Sequence, residues 1–254
     1  MLNIFKMDLH RLLHSKVFYV SAIFLLIMAV AMPMSGMATN MEAMMGATPP
    51  TGSGEDFLNT SVGTSVIFIL IGITLTLFVC GDYSGGFAKN IFTFHSDAKD
   101  YIGGKMLSMA VTSGILLLFY TIAAMIALSV FGYGIVLAGG VFCLIAFLIQ
   151  KWLVSCAFIA VILLVNLFTR SSAVGIIAGF LVATGGLTMG LSLFGEMLGI
   201  PWLGSIGRFM VSGASQLCTL TFSGGVFVQV LLVSAAWMAL CYVGSKRALA
   251  KKDV

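Results

Sequence analysis

The sequence predicts an all-α integral membrane protein, and three observations carry that prediction. Hydrophobic residues make up 60% of the 254 residues and charged residues 9%, against about 45–50% and about 25% in soluble chains. Apolar runs of the ~20 residues needed to cross a bilayer recur along the chain. Basic residues gather in alternate connections between those runs. With 13 basic and 9 acidic residues and a mean hydropathy of +1.11, the chain lacks the charge to clothe itself for water. A soluble enzyme domain, a disordered chain and an extracellular disulfide scaffold are excluded. Lipid must serve as solvent for most of the surface.

Six transmembrane helices are expected, at Val17–Met34, Ser61–Cys80, Met106–Val130, Trp152–Phe168, Ala173–Phe194 and Gly225–Gly244. The fourth run begins near Val141 and is interrupted by Lys151. A cation at mid-bilayer costs about 2.5–3.5 kcal/mol on insertion scales, whereas one at the interface snorkels cheaply. A short outer helix followed by a span opening at Lys151 is therefore favoured over one long tilted helix. With the N-terminus inside, the inner segments hold Lys6, Arg11, Lys16, Lys89, Lys99, Lys105, Arg170, Lys246, Arg247, Lys251 and Lys252. Only Lys151 and Arg208 fall outside, with Glu42, Glu55, Asp56 and Glu196. This bias predicts both termini in the cytoplasm. It also accounts for the net charge of +4 without nucleic acid as a partner. The basic start, the apolar stretch and Ala29-Val30-Ala31 mimic a signal peptide, but the leader is long and Pro33 follows the cut. Retention of this segment as the first span is expected.

The chain reads as one transmembrane domain over residues 1–254. Residues 1–16 form an amphipathic helix with Leu2, Phe5, Leu9, Leu12 and Leu13 on one face and Asn3, Lys6, His10 and His14 opposite. It suits the anionic inner leaflet. His10 and His14 lack a third ligand, so a polar face is the simpler reading than a metal site. Residues 35–60 form an outer loop whose TPPTGSGEDF stretch is rich in turn formers and acids. Met28, Met32, Met34, Met37, Met41, Met44 and Met45 cluster before it. The simplest reading is methionine used as helix hydrophobe. An adaptable substrate surface and a Cu(I) shuttle are the alternatives.

The fifth span carries Gly175 with Gly179 and Gly186 with Gly190. These small-xxx-small pairs fit either intrachain packing or a subunit interface or gate. Residues 195–224, broken by Gly and Pro, read as short outer helices dipping into the membrane. Thr64, Ser65, Thr74 and Thr76 in the second span fit back-bonding to their own helix better than a polar path. Cys143 and Cys218 lie on the outer side, where a disulfide between them is open.

Chemistry concentrates in the inner loop 81–105, GDYSGGFAKNIFTFHSDAKDYIGGK. It alternates three acids and three lysines with Tyr83, Phe87, Phe92, Phe94 and Tyr101, the composition of a docking surface. Aromatics resting on the inner interface would be the plainer explanation. No G-x-x-x-x-G-K-[ST] occurs, no span carries a central carboxylate, and no nucleophile–base set is present. A transporter of this kind draws its energy from another chain.

In this loop and in its topology the chain resembles the ABC type 2 exporter permeases. Their pattern is an acid ending span two, then Gly, a basic residue, Ser-Arg-x-x-Tyr, and a Lys opening span three. Asp82, Gly86, Lys89, Ser96, Tyr101 and Lys105 stand in those roles. Ala98 holds the usual Arg position with Lys99 beside it, and the spacing after Ser96 is one or two residues longer. Size and loop look most like permeases of lantibiotic-immunity, bacitracin-resistance and amphipathic-peptide exporters. The resemblance implies a permease subunit of the bacterial inner membrane moving hydrophobic or amphipathic substrates outward. It implies a second permease subunit, identical or related, and two cytoplasmic ATPase subunits that hold ATP and Mg, with no cofactor in this chain. It implies that Asp82, Gly86, Lys89, Phe92, Phe94, Lys99, Tyr101 and Lys105 form the ATPase-coupling element. A non-transporting scaffold or sensor that recruits a soluble partner through the same loop is the alternative, and an intramembrane enzyme the third.

Overall fold

The computed structural model describes residues 2–44, 58–59, 62, 65–86, 98–132, 140–199, 202 and 206–251. Among them there is no strand, and the helices are α1 (Leu2–Leu13), α2 (Lys16–Met44), α3 (Ser65–Ser84), α4 (Ala98–Val130) and α5 (Gly140–Thr169). After these come α6 (Ser172–Ala183), α7 (Gly186–Met197), a 3-10 turn (Gly207–Phe209), α8 (Val211–Leu217) and α9 (Gly224–Lys251). Four helices are long and apolar enough to cross a membrane, or up to six if each of two bent pairs is one span. The protein is therefore a multi-pass membrane protein by length and composition. The pairs are α1 with α2, bent by 54°, and α6 with α7, bent by 60°.

The first bend falls at His14-Ser15, where the Ser15 hydroxyl donates to the Leu12 carbonyl and accepts from the Phe18 N–H. One hydroxyl thus closes α1 and opens α2. α2 then runs on to Met44 with Pro33 inside it. The loop expected over 35–60 thus begins as helix, because Met, Ala and Glu after Pro33 favour helix over turn. Residues 45–57 lie outside the described residues.

α5 is the central element, packed against α3, α4, α6, α8 and α9. Its buried side chains run from Ala146 to Leu167. The favoured break before Lys151 is not there, since α5 is one helix from Gly140 to Thr169. From Lys151 to Thr169 it rises about 27 Å, close to the ~30 Å hydrocarbon thickness. Lys151 is 1% exposed rather than snorkelling. Its ammonium donates to the Ser215 carbonyl at 2.8 Å and the Ser215 hydroxyl at 3.2 Å, and lies 5.6 Å from the Phe147 ring centre. The short helix α8 folds back onto α5 and supplies those acceptors.

The fifth run is also not one straight span. It breaks at Thr184-Gly185, where Gly185 has φ of 75°, a left-handed conformation open to glycine. α6 packs closely on α3 and α5 through its glycines. A Cβ on Gly175 would overlap Asn166 Oδ1 and lie 2.6 Å from Thr76 Cγ2. The Asn166 amide donates to Thr76 Oγ1 at 3.1 Å, so a buried polar contact sits under the missing side chain. A Cβ on Gly179 would lie 3.7 Å from the Gly72 Cα. Gly175 and Gly179 therefore serve intrachain packing. Gly186 approaches only Leu181 and Thr184 beside its own bend, and Gly190 faces open space.

Phe142 packs edge-on against Phe222, and Gly244 lies against Leu164. α5 and α9 thus run in the same direction. α5 is followed by Arg170, whose guanidinium sits 5.0 Å over the Tyr83 ring at the end of α3. Both ends of the described chain, α1 and the close of α9, consequently lie at one end of the bundle. Cys143 and Cys218 are free thiols, as are Cys80, Cys156 and Cys241.

Two tests follow from this packing. Gly175→Ala should lower stability by about 1–3 kcal/mol through overpacking, while Gly190→Ala should be neutral or mildly stabilising. Thermal unfolding in detergent reads both, and equal midpoints would remove α6 from its close contact. In a cysteine-free background, cysteines at exposed Ser223 and Lys246 should label on opposite sides of intact cells. Labelling of both by an impermeant reagent would place the two ends of α9 on one side.

Candidate functional site

The buried face of α1 is Ile4, Asp8 and Leu12, at 4%, 0% and 0% exposure. The spacing of four keeps them on one stripe. Two of them are ordinary hydrophobes and the third is a carboxylate. Asp8 is tolerated there because α1 packs on the first turns of α4 and reaches the end of α3 through Arg11. The approach is close. A Cβ on Gly104 would lie 3.0 Å from Ile4 Cγ2.

Four charges meet in this contact. Lys105 Nζ is 3.1 Å from Asp8 Oδ2 and also pairs with Asp82 Oδ2. Arg11 Nη2 donates to Asp82 Oδ1 at 2.9 Å, and Nη1 lies 3.7 Å from Asp8 Oδ1. Two acids and two bases cancel. Asp8, Asp82 and Lys105 are fully enclosed, whereas the Arg11 side chain keeps 37% exposure. Phe78 closes one wall, with Lys105 Nζ 3.7 Å from its ring centre and the Arg11 guanidinium at 5.3 Å. Tyr101, also fully buried, stands 5.6 Å from Lys105 Nζ. The low-polarity walls strengthen the attraction and make any uncompensated member costly.

The geometry has a plain mechanical meaning. Asp82 stands near the start of segment 81–105 and Lys105 at its end. Their pairing pinches the two stalks of the loop together, and Asp8 with Arg11 fastens α1 across the pinch. α1, α3 and α4 are thereby joined at one buried cluster.

Of the residues the sequence assigned to coupling, Asp82, Tyr101 and Lys105 face into the bundle rather than outward to a partner. Gly86 sits just past α3 with φ of 70°, the left-handed turn that ends many helices. Lys99 lies in the first turn of α4 with its side chain outside the described residues, and Lys89, Phe92 and Phe94 lie outside them altogether. Sequence reasoning missed Asp8, and saw in Arg11 only a basic residue. The signal was present: an acid four residues from both Ile4 and Leu12 interrupts the apolar face. His10 and His14 stack at 4.2 Å on the exposed side. No group of three or more His, Cys, Asp or Glu fit to hold a metal occurs among the described residues.

Comparison with known proteins adds no relative: no family model matches this chain, and neither does any curated protein.

Lys105→Met should cost about 3–5 kcal/mol, because it strands two enclosed carboxylates. Arg11→Gln should cost less, since water reaches its guanidinium. The triple change Asp8→Asn, Asp82→Asn, Lys105→Met should recover part of the loss by removing the stranded charge. Unfolding midpoints in detergent decide this, and an unperturbed Lys105→Met protein would dissolve the clamp.

Proposed function

We propose that this chain is the membrane subunit of an ATP-driven exporter of the ABC type 2 kind, moving hydrophobic or amphipathic substrates such as peptides, lantibiotics or drugs outward. The observation that carries the reading is the buried four-charge clamp, which joins both stalks of loop 81–105 to α1. A loop that carries force must be rooted stiffly, and a loop that only fills space needs no such root.

On this reading two cytoplasmic ATPase subunits bind and hydrolyse ATP with Mg, and a second permease subunit, identical or related, completes the path. Loop residues Phe92 and Phe94 enter apolar depressions on the ATPase, and Lys89 and Lys99 meet acids at the rim. Movement of the ATPase then reaches α3 and α4 through Asp82 and Lys105, and α1 through Asp8 and Arg11. The basic residues at this end, among them Lys6, Arg11, Lys16, Lys246 and Arg247, favour the cytoplasmic side of a bacterial inner membrane. The sequence has no P-loop of its own, so energy enters through the partner.

Truncation of buried aromatic anchors at interfaces typically costs about 2 kcal/mol or more. Phe92→Ala with Phe94→Ala should therefore abolish co-purification with the ATPase, or uncouple hydrolysis from export, while the chain still inserts. Lys89→Ala should weaken assembly mainly as salt is raised. Normal ATPase binding and normal export by the double Phe variant would defeat the coupling reading. ATPase binding with no export of any amphipathic substrate would favour the scaffold or sensor instead.

A further inference from the structure

At the end of the bundle opposite the clamp, the break between α6 and α7 opens beside the 3-10 turn and α8. A cavity of about 600 Å³ lies there, within the ~300–1,000 Å³ range of small-molecule sites. Its lining includes Thr184, Thr188, Ser192, Met189, Arg208 and Gln216. Thr184 before the bend and Thr188 and Ser192 one turn apart on α7 all line it, so three hydroxyls border one cavity. Each hydroxyl donates its proton to its own backbone, to the carbonyls of Phe180, Gly185 and Met189. What these hydroxyls offer a visitor is oxygen lone pairs. Arg208 supplies the cavity's positive charge, and it makes no ion pair among the described residues.

The wall bearing Arg208 is held in place. A Cβ on Gly213 would overlap the Gly207 carbonyl, so α8 and the 3-10 turn are pressed together. The Trp237 indole on α9 donates to the Phe209 carbonyl at 2.8 Å. Lys151 on α5 holds Ser215 on the same short helix. A buried lysine and an indole from two long helices thus fix a loop that neither would otherwise touch. Met189 in the lining, and Leu193 and Phe209 beside lining residues in the chain, are all more than half exposed. A polar cup with one cation among its lining residues therefore opens beside an exposed apolar rim.

We propose that this cavity binds an anionic amphiphile, with a phosphate-bearing, hydroxyl-carrying head in the cup and its acyl tail along the rim. The guanidinium takes the phosphate oxygens through paired N–H donors. The threonine and serine lone pairs accept from hydroxyls of the head. A bare phosphate would leave those lone pairs and the apolar rim unused, and a zwitterionic head would set a second cation against Arg208. The site does not depend on the exporter reading, because it is a binding surface at the other end of the molecule.

The test uses the full chain in phosphatidylcholine nanodiscs, titrated with fluorescent lysophosphatidylglycerol. Saturable binding is expected, weakened tenfold or more in Arg208→Gln and largely kept in Arg208→Lys. Ser192→Trp, which fills the cup from its exposed side, should abolish binding while leaving the unfolding midpoint unchanged. Lysophosphatidylcholine and inorganic phosphate should fail to compete. Competition by phosphatidylglycerol built into the nanodisc would assign the site to a resident membrane lipid, and its failure to a free amphiphile arriving from outside, the proposal standing in both cases. Binding that is not saturable, binding unchanged in Arg208→Gln and Ser192→Trp, or full competition by inorganic phosphate would each overturn it.

Discussion

Two carboxylates and two cations share one enclosed space at the end of this bundle, and they do so because they cancel. Removing Asp8, Asp82 and Lys105 from water carries a penalty of several kcal/mol for each ion. Only mutual contact offsets it, and contact requires α1, α3 and α4 to meet at one point. The position of α1 is therefore dictated by charge pairing as much as by its apolar stripe. Phe78 and Tyr101 complete the enclosure by keeping water out and lending their ring faces to Lys105. The partly exposed Arg11 is the one member reached by solvent, and so the natural place for the cluster to loosen.

The other end of the molecule solves a similar difficulty with neutral groups. Lys151 has no carboxylate partner among the described residues, and its proton donors are taken by a backbone carbonyl and a hydroxyl of α8. With no counter-ion beside it, its N–H groups depend on these two acceptors. The consequence is structural: a short helix too small to span is drawn back onto the central helix. That placement, with the indole of Trp237, gives the segment around α8 a fixed shape and gives Arg208 a defined place beside the α6–α7 break.

Between these ends, packing depends on side chains that are missing. Lipid provides little hydrophobic drive for one helix to join another, so close approach and polar contacts must supply it. Gly175 and Gly179 let α6 reach α3 and α5, and Asn166 uses the vacated space to bond Thr76. Gly186 and Gly190 have the same sequence spacing yet lie past the bend, where among the described residues neither meets another long helix. Equal motifs thus have unequal roles. Which one packs is decided by Gly185, whose left-handed backbone turns α7 away by 60°.

The sequence by itself determined that lipid is the solvent, where the apolar runs fall, and that loop 81–105 carries the unusual chemistry. Those properties are local and additive: hydropathy sums along a window, and charge can be counted segment by segment. It also marked Asp82, Tyr101 and Lys105 as special without revealing that they turn inward. The tertiary structure alone decided that Asp8 completes their cluster, that Lys151 is enclosed within one unbroken α5, that the fifth run bends, and that Arg208 borders a cavity. Each of these depends on which helices lie side by side. A buried charge is tolerable only beside its partner, and that partner sits tens of residues away in the chain.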